Sequence, residues 1–138
     1  MEYQEFCQKD EFAKYLGIEL LVVAPGFARA QMEIGEQHLN GVGIAHGAAI
    51  FALADFAFAM ASNSHGRIAV AITAAISFLR ASGTGMLLAE AKEVGINYKL
   101  ATYQVEVEDI DHNKIAVFQG TVYRKKEHLP GEMRPENS

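Results

Sequence analysis

Asp55 is the residue of this sequence that is best placed for chemistry. It lies in the run from Gly47 to Ala61, which is rich in Ala and Phe and has the composition of a buried helix. No Lys, Arg or His stands within four residues of it on either side. An unpaired carboxylate in an apolar environment costs several kcal/mol, so such a residue is usually paired or used. A carboxylate here has the chemistry to activate water or to attack an activated carbonyl directly.

A glycine-rich loop, from His38 to His46, precedes this helix and supplies hydrogen-bond donors. The first backbone N–H groups of a helix have no partner within the helix and lie at its positive end. The N–H of Gly47 is therefore suited to hold an oxyanion, and glycine lets a substrate approach the backbone closely. Asn40 adds a side-chain amide. Together with Asp55, these donors predict a site for acyl-transfer chemistry.

The spacing of Gly47 and Asp55 indicates how such a site is assembled. They are separated by about 12 Å along one helix, at ~1.5 Å per residue. A carbonyl held at Gly47 therefore cannot contact Asp55 of the same helix. The two groups meet only when antiparallel helices of two subunits lie side by side, which predicts a symmetric dimer with two shared sites.

Other chemistries have weaker support. There is no Gly-x-Ser-x-Gly motif, and the histidines show no metal-ligand spacing. The glycines at 41, 43 and 47 fit a dinucleotide-binding pattern only if glycine replaces His46. We therefore expect neither a metal nor a cofactor. The alternative interpretation of Asp55 is a structural acid bonded to a neighbouring element.

Composition places the chain among globular proteins of one domain, with 138 residues, 50% hydrophobic and 21% charged. A net charge of −5 argues against nucleic-acid binding. The single cysteine, Cys7, suits a reducing compartment, and the acidic N-terminus lacks a signal-peptide pattern, so we expect a cytoplasmic protein. The stretch 44–61 is nearly charge-free, but Asp55 at its centre and the lack of anchoring flanks favour a buried helix over a membrane span.

The order of elements predicts an α+β fold in which an antiparallel sheet wraps around a long central helix. Because one curled sheet cannot enclose that helix on all sides, we expect a second subunit to help. The domain is predicted to cover residues 1–124, followed by a disordered tail at 125–138. The predicted elements are a helix within 3–16, strands at 18–23 and 27–34, a loop at 35–45, the central helix from 46 to 61, and strands at 68–79, 86–98, 101–110 and 115–124.

The loop from His38 to Gly47, followed by Leu53-Ala54-Asp55, resembles the hotdog-fold thioesterases of the phenylacetic-acid-degradation type. Their pattern is Asn, several residues, His-Gly-Gly, then Leu-Ala-Asp on the central helix. The resemblance covers about residues 16–124 and includes the run from Ile76 to Arg80.

The resemblance implies hydrolysis of an acyl-CoA thioester, with Asp55 as general base or nucleophile. It gives Gly47 of the partner subunit the oxyanion contact, Asn40 the orientation of carbonyl or water, and His46 a supporting role. Arg80 is then expected beside the CoA moiety. A homo-oligomer is expected, either a dimer or a dimer of dimers. The candidate apolar walls are Phe51, Phe56, Phe58 and Met60, of which at least two are expected to be ordinary core residues.

Three departures from the family pattern stand out. Ala48 replaces the second glycine of His-Gly-Gly, Met86 replaces an aspartate, and Ala59 stands where some relatives carry a hydroxyl. Thr73 on the facing strand is a candidate to supply that hydroxyl. Two other functions stay open: a non-catalytic acyl-CoA-binding protein, in which Asp55 is structural, and a hydratase, for which His46 is the available histidine.

Overall fold

Six antiparallel strands and one long helix form the architecture, in a computed structural model that describes residues 2–130. The strand order in the sheet is β1-β2-β4-β5-β6-β3, so β1 and β3 are its edges. The fold is α+β, as predicted. The helices are α1 (Glu2–Gln8), α2 (Glu11–Leu16) and α3 (Gly47–Ser62), and the strands are β1 (Ile18–Ala24), β2 (Phe27–Ile34), β3 (Arg67–Phe78), β4 (Gly85–Ile96), β5 (Leu100–Asp109) and β6 (Lys114–His128).

The helix α3 packs against one face of the sheet. Opposite it, Ala28 pairs with Ala91 and Ala30 with Ala89 on β2 and β4, and all four side chains are fully buried. Such small residues let the backbone of the helix approach the sheet closely. On β5 and β6 the core contains larger side chains, among them Tyr103 and Phe118.

An aromatic cluster joins α3 to β5 and β6. The ring of Phe58 lies 5.9 Å from that of Tyr103 and 5.3 Å from that of Phe118, centroid to centroid. Gly120 makes room for it, because a Cβ at that position would lie 2.7 Å from the nearest ring carbon of Phe58. The cluster therefore depends on a residue without a side chain on β6.

A polar cluster closes the C-terminal end of α3. The carboxylate of Glu93 accepts the hydroxyl hydrogen of Tyr103 at 2.9 Å and lies 2.7 Å from Nε2 of His65. Burial and the neighbouring Glu93 raise the pKa of Tyr103 above its ordinary range. The cluster ties the turn after α3 to β4 and β5.

The two ends of the chain differ from the prediction. The single helix predicted within 3–16 is two helices, because Asp10 caps α2 by accepting the N–H of Ala13 at 3.0 Å. The last strand extends beyond its predicted end at Arg124. β6 continues to His128, which pairs with Arg67, and Leu129 is buried. The charged residues that suggested a tail are the solvated positions of a strand. Residues 131–138 of that predicted tail lie outside the described residues.

Within residues 2–130, no helix is both long and apolar enough to cross a membrane.

We expect Gly120→Ala to lower the free energy of unfolding by about 1–3 kcal/mol, because the added methyl overlaps a ring held between two other aromatic side chains. Chemical denaturation of the variant measures this. Gly83→Ala is the matched control, since a Cβ at Gly83 meets nothing within 4 Å. Equal stability of the two variants would contradict the packing described for Phe58.

Candidate active site

Asp55 lies on a face of α3 that the sheet does not cover. With Ala48, Phe51, Ala52 and Ala59 it lines an open pocket of about 490 Å³. These positions recur at helical spacing, so they form one stripe along the helix. The carboxylate is half-buried, and the predicted all-round burial of the helix is therefore incomplete within one chain.

The Asp55 carboxylate has no hydrogen bond or ion pair within residues 2–130. Burial raises its pKa above the ordinary value, and the negative charge of Asp10 adds to the effect. Both causes disfavour the ionised form and make the carboxylate a better base. An unpaired carboxylate with a raised pKa in a pocket is the pattern expected of a functional acid or base.

The N-terminus of α3 leaves one backbone donor free. Nδ1 of His46 accepts the N–H of Ala48 at 3.0 Å, and the carbonyl of His46 accepts the N–H groups of Ala49 and Ile50. The N–H of Gly47 has no acceptor among the described residues. His46 thus acts as the helix N-cap, and Gly47 carries the free donor that the sequence predicted.

Asn40 shapes the loop before α3. Its Oδ1 accepts the N–H groups of Val42 at 3.0 Å and Ile44 at 3.2 Å, and its own N–H donates to the carbonyl of Ile44 at 2.8 Å. The side-chain oxygen is therefore occupied within the loop. The Nδ2 group of Asn40 is left as the donor that can face a ligand.

His38 anchors this loop, a role that the sequence did not reveal. Its Nδ1 accepts the N–H of Gly35 at 2.9 Å, so Nε2 carries the proton and donates to the carbonyl of Leu16 at 2.8 Å. The carbonyl of His38 accepts the N–H of His46 at 2.7 Å. His38 therefore connects the end of α2, through its imidazole, to the start of α3, through its carbonyl.

The remaining predicted residues divide between pocket and surface. Phe51 lines the pocket and packs edge-on against Phe118 with ring centroids 5.4 Å apart. Arg80 and Thr73 lie outside the pocket of their own chain. Arg80 follows β3 and donates to Oδ1 of Asn113 at 2.9 Å, whereas Thr73 is exposed on β3. Phe56 also lines the pocket, while Phe58 and Met60 are buried in the core.

The wall opposite α3 was not predicted. Asp10, Phe12 and Ala13 of the α2 region and Ile18 of β1 complete the pocket. Of these residues, only Asp10 has a recognisable sequence signal, because an aspartate before a short helix is typical of an N-cap. That signal does not indicate a place in a pocket. Among residues 2–130, no group of three or more His, Cys, Asp or Glu is arranged to hold a metal ion.

Comparison with known proteins adds to this geometry. The thioesterase superfamily matches residues 42–116. The acyl-coenzyme A thioesterase PaaI of Escherichia coli is 36% identical over 126 residues, which cover 91% of this chain and 90% of the relative. The chain belongs to the thioesterase superfamily. The family and the similarity to this relative support a thioester hydrolase.

Two solved structures show the same fold as this thioesterase. That of the E. coli PaaI protein from the phenylacetic acid degradation operon superimposes with a TM-score of 0.89 at 34% identity, covering 92% of this chain and 93% of that one. A mutant of the phenylacetic acid degradation protein PaaI from Thermus thermophilus gives a TM-score of 0.81 at 42% identity, covering 84% and 100%.

The raised pKa of Asp55 predicts a stability cost in the folded thioesterase. Folding disfavours the ionised form of Asp55, so the cost is fully present above the folded-state pKa of this carboxyl group. The cost is relieved as pH falls through that pKa toward the ordinary aspartate pKa of about 4. Asp55→Asn should therefore raise the melting temperature at pH 7.5, and the gain should shrink in acid. Calorimetry against pH measures this, with the exposed Glu33→Gln as control. A variant that melts well below wild type at pH 7.5 would mean that Asp55 makes a stabilising contact.

Proposed function

We propose that this thioesterase hydrolyses acyl-CoA thioesters, with Asp55 as the catalytic carboxylate and Gly47 as the oxyanion donor. The observation that carries the proposal is the combination of an unpaired carboxylate in an apolar pocket with an unoccupied N–H at the start of the same helix. Similarity to the E. coli acyl-coenzyme A thioesterase supports the choice of substrate class.

The reaction proceeds by one of two routes that use the same groups. As general base, Asp55 takes a proton from water while the oxygen of that water attacks the thioester carbonyl. The N–H of Gly47 stabilises the tetrahedral oxyanion, which collapses and expels the CoA thiolate; the thiolate then takes up a proton. As nucleophile, Asp55 attacks the carbonyl and forms a mixed anhydride, which water then hydrolyses. Both routes release a free acid and CoA.

We infer that each site is built from two subunits. Gly47 and Asp55 of one helix are about 12 Å apart, too far to act on the same carbonyl. The edge strand β3 offers a surface for a second copy, because it is long, unpaired on one side and exposes Val70, Ile72 and Phe78. Antiparallel pairing of two β3 strands about a two-fold axis would bring the uncovered faces of two α3 helices together.

The pocket favours an uncharged, apolar acyl group, either aromatic or of short to medium length. Phe51, Phe56 and Phe12 supply its aromatic lining. A Cβ at Gly47 would lie 3.1 Å from the ring of Phe78, two positions before Arg80, so the N-terminus of α3 contacts the end of β3 that leads to Arg80. We propose that Arg80 contacts the CoA phosphates.

We expect Asp55→Asn to lower kcat/KM for hexanoyl-CoA or phenylacetyl-CoA by at least ~10³-fold, because the amide removes the basicity and charge with little change in shape. Release of free thiol measures the rate, and Glu33→Gln is again the control. Near wild-type hydrolysis would make Asp55 structural. Tight acyl-CoA binding by a wild-type protein that does not hydrolyse it would favour the non-catalytic alternative.

Subunit mixing tests the composite site. Asp55→Ala and Asn40→Ala should each be nearly inactive alone, since each damages both sites of a homodimer. A mixed dimer contains one site with both residues intact, so an equal mixture should regain roughly a quarter of wild-type activity, the statistical share of restored sites under full exchange. Labelled chains verify the exchange. Full exchange without recovery would show that Asp55 and Asn40 act within one chain.

A further inference from the structure

The wall that faces Asp55 carries a second carboxylate. Asp10 lines the same pocket from the start of α2, as does Phe12 of that helix. Within the lining of this pocket, Asp10 and Asp55 are the two residues that ionise. The proposed reaction uses Asp55 and leaves Asp10 without a role.

Asp10 is held in a defined position. One of its carboxylate oxygens accepts the N–H of Ala13 at 3.0 Å, and its carbonyl accepts the N–H of Lys14 at 3.1 Å. Gly17, in the left-handed conformation, caps the C-terminus of α2, and Nε2 of His38 donates to the carbonyl of Leu16. The wall that carries Asp10 is therefore tied to the loop that leads into α3.

No cation of the neighbouring elements neutralises this pair of carboxylates from within the pocket. On α2 the ammonium of Lys14 pairs with Glu11 at 3.2 Å, and both of these side chains are largely exposed outside the pocket lining. On α1, Cys7 is the nearby ionisable group; burial and Asp10 raise the pKa of its thiol, and a thiol carries no positive charge in either form. The residues that α3 and β1 contribute to the lining carry no cation. The pocket is thus apolar in its walls and negative in its electrostatics.

We propose that Asp10 is a specificity-determining residue of the thioesterase site, which rejects acyl groups ending in an anion and, through Asp55, sets the pH range of activity. This inference rests on the proposed function. The first effect is direct: the carboxylate of Asp10 repels an acyl carboxylate that enters the pocket, and the repulsion is strong because the pocket partly excludes water. The second follows because a neighbouring negative charge disfavours ionisation of Asp55, so activity begins at higher pH than it would without Asp10.

Glutaryl-CoA and hexanoyl-CoA are suitable probes for these effects. Their acyl groups are similar in length, one ends in a carboxylate, and both carry the same CoA phosphates, so contacts to the phosphates cancel in the ratio of their kcat/KM values. Asp10→Asn removes the charge and keeps the N-cap, since Asn caps helices about as well as Asp. Glu11→Gln is the matched control, because it removes the same charge one residue away, outside the pocket.

We expect Asp10→Asn to raise the glutaryl-to-hexanoyl ratio of kcat/KM by roughly three- to tenfold at pH 7.5, and Glu11→Gln to leave it within about twofold. The acid limb of the kcat/KM profile for hexanoyl-CoA should move to lower pH in Asp10→Asn only. A measurement without mutation supports the first effect: salt screens the repulsion, so the ratio of wild type should rise with ionic strength.

The outcomes separate the two proposals. A wild-type protein that hydrolyses neither ester refutes the proposed function. If the wild-type protein hydrolyses hexanoyl-CoA but the glutaryl-to-hexanoyl ratio of kcat/KM is the same in Asp10→Asn and Glu11→Gln, the role of Asp10 in specificity is refuted. An unmoved acid limb refutes the coupling to Asp55. If Asp10→Asn does not fold, Asp10→Ser is the replacement variant, because Ser also caps helices. Independently of any variant, a wild-type ratio that does not change with salt refutes the repulsion.

Discussion

The helix α3 needs to be enclosed, and a single sheet can enclose it on one side only. The buried alanines of β2 and β4 bring the helix close to the sheet, and the aromatic cluster around Phe58 holds it against β5 and β6. The opposite stripe, from Ala48 to Ala59, faces a pocket. The position of the pocket and the exposure of Asp55 to it both follow from this one-sided coverage.

The uncovered side of the helix is also where polar groups lack partners. The Asp55 carboxylate and the Gly47 N–H are both without a hydrogen bond in the described chain. At the other end of α3, by contrast, Glu93 pairs with Tyr103 and His65, and Nδ2 of Asn63 donates to the carbonyl of Ala59. Unsatisfied groups reduce stability, and two of them on one uncovered helix face are typical of a ligand-binding site.

Local hydrogen bonds decide how accurately those groups are positioned. Asn40 closes the loop on itself, and His46 satisfies the N–H of Ala48 so that the donor of Gly47 is the one left free. His38 attaches the same loop to α2, and thereby connects the wall that carries Asp10 to the end of α3 that carries the free N–H of Gly47. The wall that carries Asp10 and the start of α3 are therefore joined by the loop that precedes α3.

The elements with strong periodicity were predictable from the sequence, and so were the place of Asp55 on the central helix and the free N–H of Gly47 at its start. Strict alternation identified strands such as β5, and an apolar run with one carboxylate identified α3 and Asp55, because these signals are local. The sequence did not reveal the extension of β6 to His128, where pairing with β3 stabilises a charged segment. Nor did it reveal Asp10 as part of the pocket, because an N-cap has the same local appearance on any surface. Which wall faces the Asp55 carboxylate depends on contacts between residues far apart in the chain, and those contacts form only in the tertiary structure.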